Sequence, residues 1–295
     1  EMSASLVGSE MCIRDRNNGG NPAGVVLDAE FLSPQDMQRI AAKVGFSETA
    51  FVKKSNNADF KVEFFTSNGE VDLCGHATIA TFYLLTNKGF IQAGEYTQET
   101  KAGILKIECR KDKVIYMEQC NPKFYEILDK KEIADTLNIN EDEIIQGLPV
   151  QIVSTGLKDI FIPIKSLKIL HNIKPDFNKI SNFSRKQDVI GCHLFTLETE
   201  YGSTAHCRNF APLYDIDEEA ATGTSTGALS CYLYKYGFIS ENNVKNMVFE
   251  QGYSMKKPSE ILASLMIHNG EINEVKVGGI ALNIEEKNIT HPKSI

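Results

Sequence analysis

Cys74, Gly75 and His76 stand together near the head of an apolar run, "DLCGHATIATFYLL" (72–85). Three kinds of chemistry suit those residue types. A thiol and an imidazole can act as a dyad, can supply two ligands to a metal, or can mark a helix start whose open end holds an anion. Residues two apart on a helix point in different directions, so Cys74 and His76 are not expected to face one another. Cys-x-His with no further ligand cluster nearby is also a poor zinc signature. Cys74 therefore reads as a packed thiol and the helix start as the working feature. Unpaired N–H groups and the positive dipole end favour an anion there. A neutral His76 in that place can donate a hydrogen bond to a carboxylate or relay a proton. The competing reading of His76 is an imidazole that only satisfies local backbone groups.

Glu48 is the second candidate. In "FSETAFV" (46–52), Phe46, Glu48, Ala50 and Val52 share one face of a strand. A carboxylate on an apolar face is costly to bury ionised, so its pKa is expected to rise toward the range useful for proton transfer. The alternative puts Ser47, Thr49 and Phe51 inside and leaves Glu48 in water. A third candidate is "EEAATGTSTGAL" (218–229), in which small residues and Gly223 open a helix. The N–H groups and hydroxyls there, those of Thr224 and Ser225 included, suit a carboxylate group. Glu219 just before it is either a further acid or base, or simply an acidic residue favoured at a helix N-terminus. The GxxxxGK[ST] and GxGxxG spacings of nucleotide-binding loops are absent.

These residues need elements to hold them. Ser33, Pro34 and Gly45 cap and end a predicted helix over 34–44. Further helices are predicted to start near Gly75 and Gly223. "FKVEFF" (60–65), "GILKIECR" (103–110) and "KVIYMEQ" (113–119) read as strands, with a hairpin-type turn at "RKDK" and antiparallel pairing expected. Few helices among many strands predict an α+β fold, with a helix packed against or inside a curved sheet.

The two helix starts belong to an internal repeat. "FFTSNGEVDLCGHATIATFYLL" (64–85) echoes "NFAPLYDIDEEAATGTSTGALSCYLY" (209–234). In the same order, "GNPAGVVL" (20–27) echoes "GLKDIFIPI" (156–164), and "SETAFV" (47–52) echoes "GCHLFTL" (191–197). The chain of 295 residues is thus expected to form two similar domains, 17–118 and 119–278. With 42% hydrophobic and 24% charged residues the composition fits a soluble globular protein. A net charge of −8 without a basic block argues against nucleic-acid or anionic-membrane partners. Seven scattered cysteines without CxxC spacing read as reduced thiols of a cytoplasmic protein. Residues 1–16 lack a signal-peptide pattern and any clean period, and read as an artefact or disordered leader.

Taken together, "GNPAGVVL", "MQRIAAKVGFSETAFV", "FFTSNGEVDLCGHATIA", "RNFAPLYDIDEEAATGTSTGAL" and the late "VKVGGIAL" resemble the phenazine-biosynthesis isomerase-like (PhzF-like) family. The likeness runs from residue 20 to about 282. It implies the diaminopimelate-epimerase fold: two similar domains, each a barrel-like, mostly antiparallel sheet around a central helix, with the active site in the cleft between them. It also implies that residues 279–295 return to the first domain. The activity implied is a cofactor-independent isomerisation of a small, anionic, carboxylate-bearing and cyclic or unsaturated metabolite. Homodimers are common in the family.

By the same resemblance, Glu48 matches the glutamate that moves a proton between carbons, and His76 a histidine lining that site. Gly75 and Gly223 match the glycines that open the two helices. Glu219 stands where the family has an aspartate and Thr224 where it usually has a serine, changes that bear on the substrate more than on the mechanism. Racemases and epimerases of this fold use two opposed cysteines. Here the first is Cys74, but Thr222 holds the second place, and a threonine hydroxyl cannot act as a thiolate. Racemase chemistry and a binding protein without turnover are the alternatives to Glu48-centred isomerisation. Family members begin with an apolar strand leading to "GNPAGV". Here "EMSASLVGSEMCIRDRNNG" occupies that place, so the first strand is expected to be missing or replaced.

Overall fold

The computed structural model describes residues 2–7, 19–282 and 284–289. They divide into two compact units, one holding the residues up to Glu118 and from Gly278 onward, the other Gln119–Val277.

The first unit contains β1 (Met2–Val7), β2 (Ala23–Val26), α1 (Pro34–Val44), β3 (Glu48–Lys53), β4 (Phe60–Phe65) and β5 (Glu70–Val71). They are followed by α2 (Gly75–Asn87), β6 (Gly94–Thr100), β7 (Gly103–Cys109) and β8 (Ile115–Gln119). The second unit contains β9 (Lys123–Leu128), α3 (Lys130–Leu137), β10 (Val150–Ser154), β11 (Lys158–Pro163), α4 (Leu167–Asn172) and α5 (Phe177–Gln187). It continues through β12 (Gly191–Thr196), β13 (Ala205–Ala211), β14 (Ile216–Glu219), α6 (Gly223–Lys235), β15 (Met247–Gln251), β16 (Ser259–His268) and β17 (Glu271–Gly279). The last strand, β18 (Ile284–Ile289), belongs to the first unit.

The α+β class holds, but the sheets are mixed. In the first unit β2 pairs with β3, and β4 with β6, in parallel. In the second, β11–β12 and β13–β15 are the parallel pairs. Parallel neighbours need a crossover, and the helices supply it: α1, α2, the α4–α5 pair and α6 each lie between the two strands of one such pair. The expected mostly antiparallel pairing is found; the parallel pairs within it were not read, because short strands read singly do not show which partner lies beside them. The remaining pairs, such as β3–β4, β6–β7 and β12–β13, are antiparallel. The three sequence echoes fall on β2 and β11, β3 and β12, and α2 and α6, and each member of a pair has the same kind of neighbours.

Residues 2–7 overturn one expectation. The first strand is neither missing nor outside the fold: β1 pairs antiparallel with β18, from Met2 opposite Ile289 to Val7 opposite Ile284, and with β2. Its "MSASLV" sequence alternates too weakly to be read as a strand, and partners on both sides impose the conformation. The rest of the 1–16 segment lies outside the described residues.

Helices α1, α2 and α6 begin at the expected places, and of the three only α1 has a side-chain cap. Ser33 accepts from Asp36 N, Asp36 returns a bond to Ser33 N, and Gly45 ends the helix at φ 77°. Amphipathic α1 lays Met37, Ile40 and Ala41 on Val26, Phe51 and Phe65. By contrast, α2 and α6 are buried over most of their surface. Ala77, Ala80 and Leu84 of α2 pack with Val25, Ala50, Val62 and Phe64. Leu229 and Tyr232 of α6 pack with Phe161, Phe195, Cys207 and Phe249. Inside such a setting Thr78, Thr81, Thr226 and Ser230 donate to carbonyls four residues back, so no hydroxyl is stranded. On the other face of the second unit's sheet, Ile133, Leu137, Ile180 and Phe183 of α3 and α5 cover Ile152, Ile160, Leu194 and Phe210.

Gly191 fixes how closely β12 approaches β13. A methyl group there would sit 2.0 Å from Phe210 O and 2.9 Å from Phe210 C, both backbone atoms. Gly191→Ala must therefore push two strands of the core apart. We expect a loss of about 3 kcal/mol in urea unfolding, and an unchanged midpoint would contradict this packing.

Candidate active site

Glu48 opens β3, and the alternation of that strand decides its surroundings. Ala50 and Val52 point with it toward α2, while Phe51 points to α1, so both faces are covered. Glu48 itself lies at the edge, with its side chain 20% exposed. Across from it, Cys74 is the N-cap of α2 and His76 lies in the first turn. His76 Nε2 is 3.1 Å from Glu48 Oε2. Oε2 accepts no aligned hydrogen bond among the described residues, so this contact is chiefly a charge pair.

Cys74 and His76 do face one another, against expectation: Sγ lies 3.4 Å from Nδ1 and 3.8 Å from Nε2. The rule for residues two apart applies within a helix, and Cys74 has extended backbone, φ −139° and ψ 116°. That turns its side chain back over the first turn. Glu48 then supplies the third potential ligand that the local sequence lacked, with donor atoms of all three residues within 4.8 Å of one another. Asn21, in the "GNPAGV" loop, adds its amide: Nδ2 is 3.3 Å from His76 Nδ1.

The electrostatics also differ from expectation. Burial favours the neutral form of Glu48, but the hydrogen-bonding and charge interaction with His76 outweighs it and lowers its pKa. Burial opposes charge on His76 too, yet the Cys74 sulfur and the Glu48 carboxylate raise its pKa well above the usual histidine value. Burial pushes the Cys74 thiol up. Glu48 and His76 are thus pushed toward a carboxylate beside an imidazolium, rather than a neutral histidine beside a protonated glutamic acid. The sequence pattern predicts burial of Glu48; it does not show the cation that repays it.

In the second unit, Glu219 ends β14, and its Oε2 accepts from Thr222 Oγ1 at 2.7 Å. Gln251 Nε2 donates to Thr222 Oγ1 and to Glu219 O. The Thr222 hydroxyl is committed on both sides, which removes it further from a thiolate's role. Gly223 opens α6, and Thr224 O accepts from Thr155 Oγ1 at 3.1 Å. Ser225 is buried, and its hydroxyl donates to Asp159 Oδ2 at 2.5 Å, which ties the first turn of α6 to β11.

Asp159 was not singled out from sequence, although a lone carboxylate in "KDIFIPI" gives the same signal as Glu48. It is fully enclosed, and burial, with the charge of Glu219, raises its pKa to about 7 against the opposing bonds from Ser225 and Gly191 N. His193 is a further buried polar group, with Nδ1 3.0 Å from Asn209 Oδ1 and its pKa lowered by burial to about 4. All six described free cysteines are unpaired with one another, five of them buried and Cys120 exposed. Among the described residues no helix is long and apolar enough to cross a membrane.

Comparison with known proteins adds to this geometry. The family profile for phenazine biosynthesis-like proteins (PhzC-PhzF) matches residues 14–287. The chain belongs to the PhzC/PhzF family. The uncharacterized isomerase YfhB of Bacillus subtilis is 34% identical, over 91% of this chain and 92% of its own. The trans-2,3-dihydro-3-hydroxyanthranilate isomerase of Pseudomonas fluorescens is 28% identical, over 88% of this chain and 90% of its own. A crystal structure of the Bacillus anthracis phenazine biosynthesis protein of the PhzF family superposes with a TM-score of 0.85 at 30% identity, covering 98% of this chain and 99% of that one. Both of these curated relatives are named isomerases, and the chain is an enzyme of this family.

The buried carboxyl of Asp159 has a consequence for stability. An unfolded aspartate ionises near pH 4, whereas the folded one keeps its proton to about pH 7. The folded state binds the extra proton over that window, so stability falls as pH rises through it. The cost is on the order of 4 kcal/mol. Urea unfolding of Asp159→Asn at pH 4.5 and pH 8 should show a shallower decline than the wild type. Equal declines would mean that Asp159 is already ionised in the fold.

Proposed function

We propose that this PhzC/PhzF-family chain is a cofactor-independent isomerase that moves a proton between carbons of a small, carboxylate-bearing, cyclic or unsaturated metabolite. The observation that carries this reading is the Glu48–His76 pair at 3.1 Å, whose members are pushed toward opposite protonation states. An ionised carboxylate beside a protonated imidazole gives one group ready to accept a proton and one ready to hold or return it. Glu48 takes the carbon-bound proton and returns it at a second carbon. His76 stabilises the charge that develops in between, and Cys74, neutral and packed, completes its surroundings.

The helix starts supply the anion-binding part of the proposal. Neither Cys74 nor Thr222 caps its helix with a side-chain hydrogen bond, which leaves first-turn N–H groups to other partners. A methyl on Gly75 would meet only Met117 Cε at 3.5 Å, and one on Gly223 only Val277 Cγ2 at 3.6 Å, both ordinary contacts. Packing within each unit therefore does not require glycine at these places, whereas close approach of a ligand to the backbone would. Glu219 and Thr224 give the second unit a carboxylate and a hydroxyl at the head of α6, one group able to exchange a proton and one able to hydrogen-bond a ligand. We infer that each unit wraps its sheet, barrel-like, around its buried helix, so that the helix start is the natural opening.

The test is deuterium uptake in heavy water, followed by NMR, with a panel of cyclic and open-chain amino and hydroxy acids. Wild type should wash deuterium into a substrate carbon, and Glu48→Gln should slow this by a factor of about 10² to 10⁴. Exchange that survives Glu48→Gln would sink the mechanism. Exchange that depends on Cys74 and not on Glu48 would point to thiol chemistry instead.

A further inference from the structure

The head of α2 presents one carboxylate, one thiol and one imidazole, with donor atoms all within 4.8 Å of one another. We infer that this triad is also a metal site, taking a single thiophilic divalent cation of the Zn²⁺ class through Glu48 Oε2, Cys74 Sγ and His76 Nε2.

Distances come first. Tetrahedral zinc with bonds of about 2.0–2.3 Å sets neighbouring donors about 3.3–3.6 Å apart. Nε2 lies 3.1 Å from Oε2 and 3.8 Å from Sγ, so each separation needs to change by only a few tenths of an ångström. The thiol–carboxylate pair lies within 4.8 Å, so binding requires it to shorten by at most about 1.2–1.5 Å. Glu48 Oε2 is buried and accepts no aligned hydrogen bond among the described residues, which leaves it a lone pair for a cation.

The donors also sit on regular elements, Glu48 at the head of β3 and the other two at the N-cap and first turn of α2. Beyond the ring, Asn21 Nδ2 lies 3.3 Å from Nδ1. Turning that amide over would present its oxygen to Nδ1–H and leave the Nε2 lone pair for metal, the arrangement that normally orients a histidine ligand. A sulfur, a nitrogen and one carboxylate select Zn²⁺ and its like against Mg²⁺ or Ca²⁺, which demand oxygen shells. Three protein donors leave a fourth position for water. On binding, the thiol proton and any proton on Nε2 pass to solvent, so the cation replaces protons and nothing is oxidised.

Such a cation would occupy both members of the proposed proton-transfer pair. Inhibition of exchange by zinc therefore rests on the isomerase reading, but metal binding itself does not. It is read on the tag-free, chelator-treated full chain with Co²⁺ as the probe. Expected are the near-ultraviolet thiolate-to-cobalt band and the strong visible bands of tetrahedral cobalt, saturating at about one cobalt per chain and displaced by Zn²⁺. Cys74→Ser should lose the thiolate band, and Cys120→Ser, which alters the exposed thiol, should keep it. Glu48→Gln and His76→Asn should weaken binding about tenfold or more. X-ray absorption of the zinc-loaded wild type, independent of any variant's folding, should find one sulfur at about 2.3 Å among lighter donors at about 2.0–2.1 Å. A thiolate band that is absent, that survives Cys74→Ser or that vanishes with Cys120→Ser overturns the site, as does a zinc shell without sulfur. A clear cobalt signature in a protein that exchanges no substrate would leave the metal site standing and the isomerase reading in doubt.

Discussion

A helix with most of its residues buried can place polar groups only along its own backbone or at its ends. That constraint governs α2 and α6. Their threonines and serines turn back onto carbonyls of the preceding turn, and the remaining chemistry gathers at the heads of the helices. Apolar flanks allow nothing else there: Ala77 and Leu84, or Leu229 and Tyr232, are held by packing. Parallel strand pairs follow from the same arrangement, because each helix must sit in a crossover to be covered. The heads of α2 and α6 thus collect Glu48, Cys74 and His76 in one unit and Asp159, Glu219, Thr222 and Ser225 in the other.

The two units bury a carboxylate in opposite ways. Glu48 stays ionised because an imidazole lies 3.1 Å away and raises its own proton affinity in return. Among the described residues no cation acts on Asp159, only a serine hydroxyl and a backbone N–H, and the charge of Glu219 works against it. It keeps its proton instead, to about pH 7. Desolvation acts on both groups; the sign of the outcome is set by the neighbour. A single strand shows the first of these effects but not the second, which explains why the expected rise in the Glu48 pKa is reversed.

The legible part of the fold lies where local rules act alone. Ser33, Pro34 and Gly45 bound α1, the glycines mark α2 and α6, and "FKVEFF" is a strand from end to end. Helices α3, α4 and α5 escaped notice, although Asp129, Ser166 and Asp176 cap them. Apolar stripes, Ile133 and Leu137 on α3 and Ile180 and Phe183 on α5, make these helices legible too, and their cover over Ile160 and Leu194 stabilises them. Strand β1 was not legible, since its partners lie far away in sequence. In the site, the type of residue at 48, 74 and 76 was readable. Their mutual contact was not, because one residue of N-cap backbone redirects the Cys74 side chain.

That redirection also separates the two helix heads. Cys74 and Thr222 hold corresponding places, yet the thiol turns to an imidazole while the hydroxyl is fixed between Glu219 and Gln251. A thiol is a weak hydrogen-bonding group and leaves its neighbours free to respond to charge. A hydroxyl that both donates and accepts locks its neighbours in place. The repeat therefore supplies two similar scaffolds with unequal tempers: a head rich in mobile protons at α2, and a rigid polar head at α6.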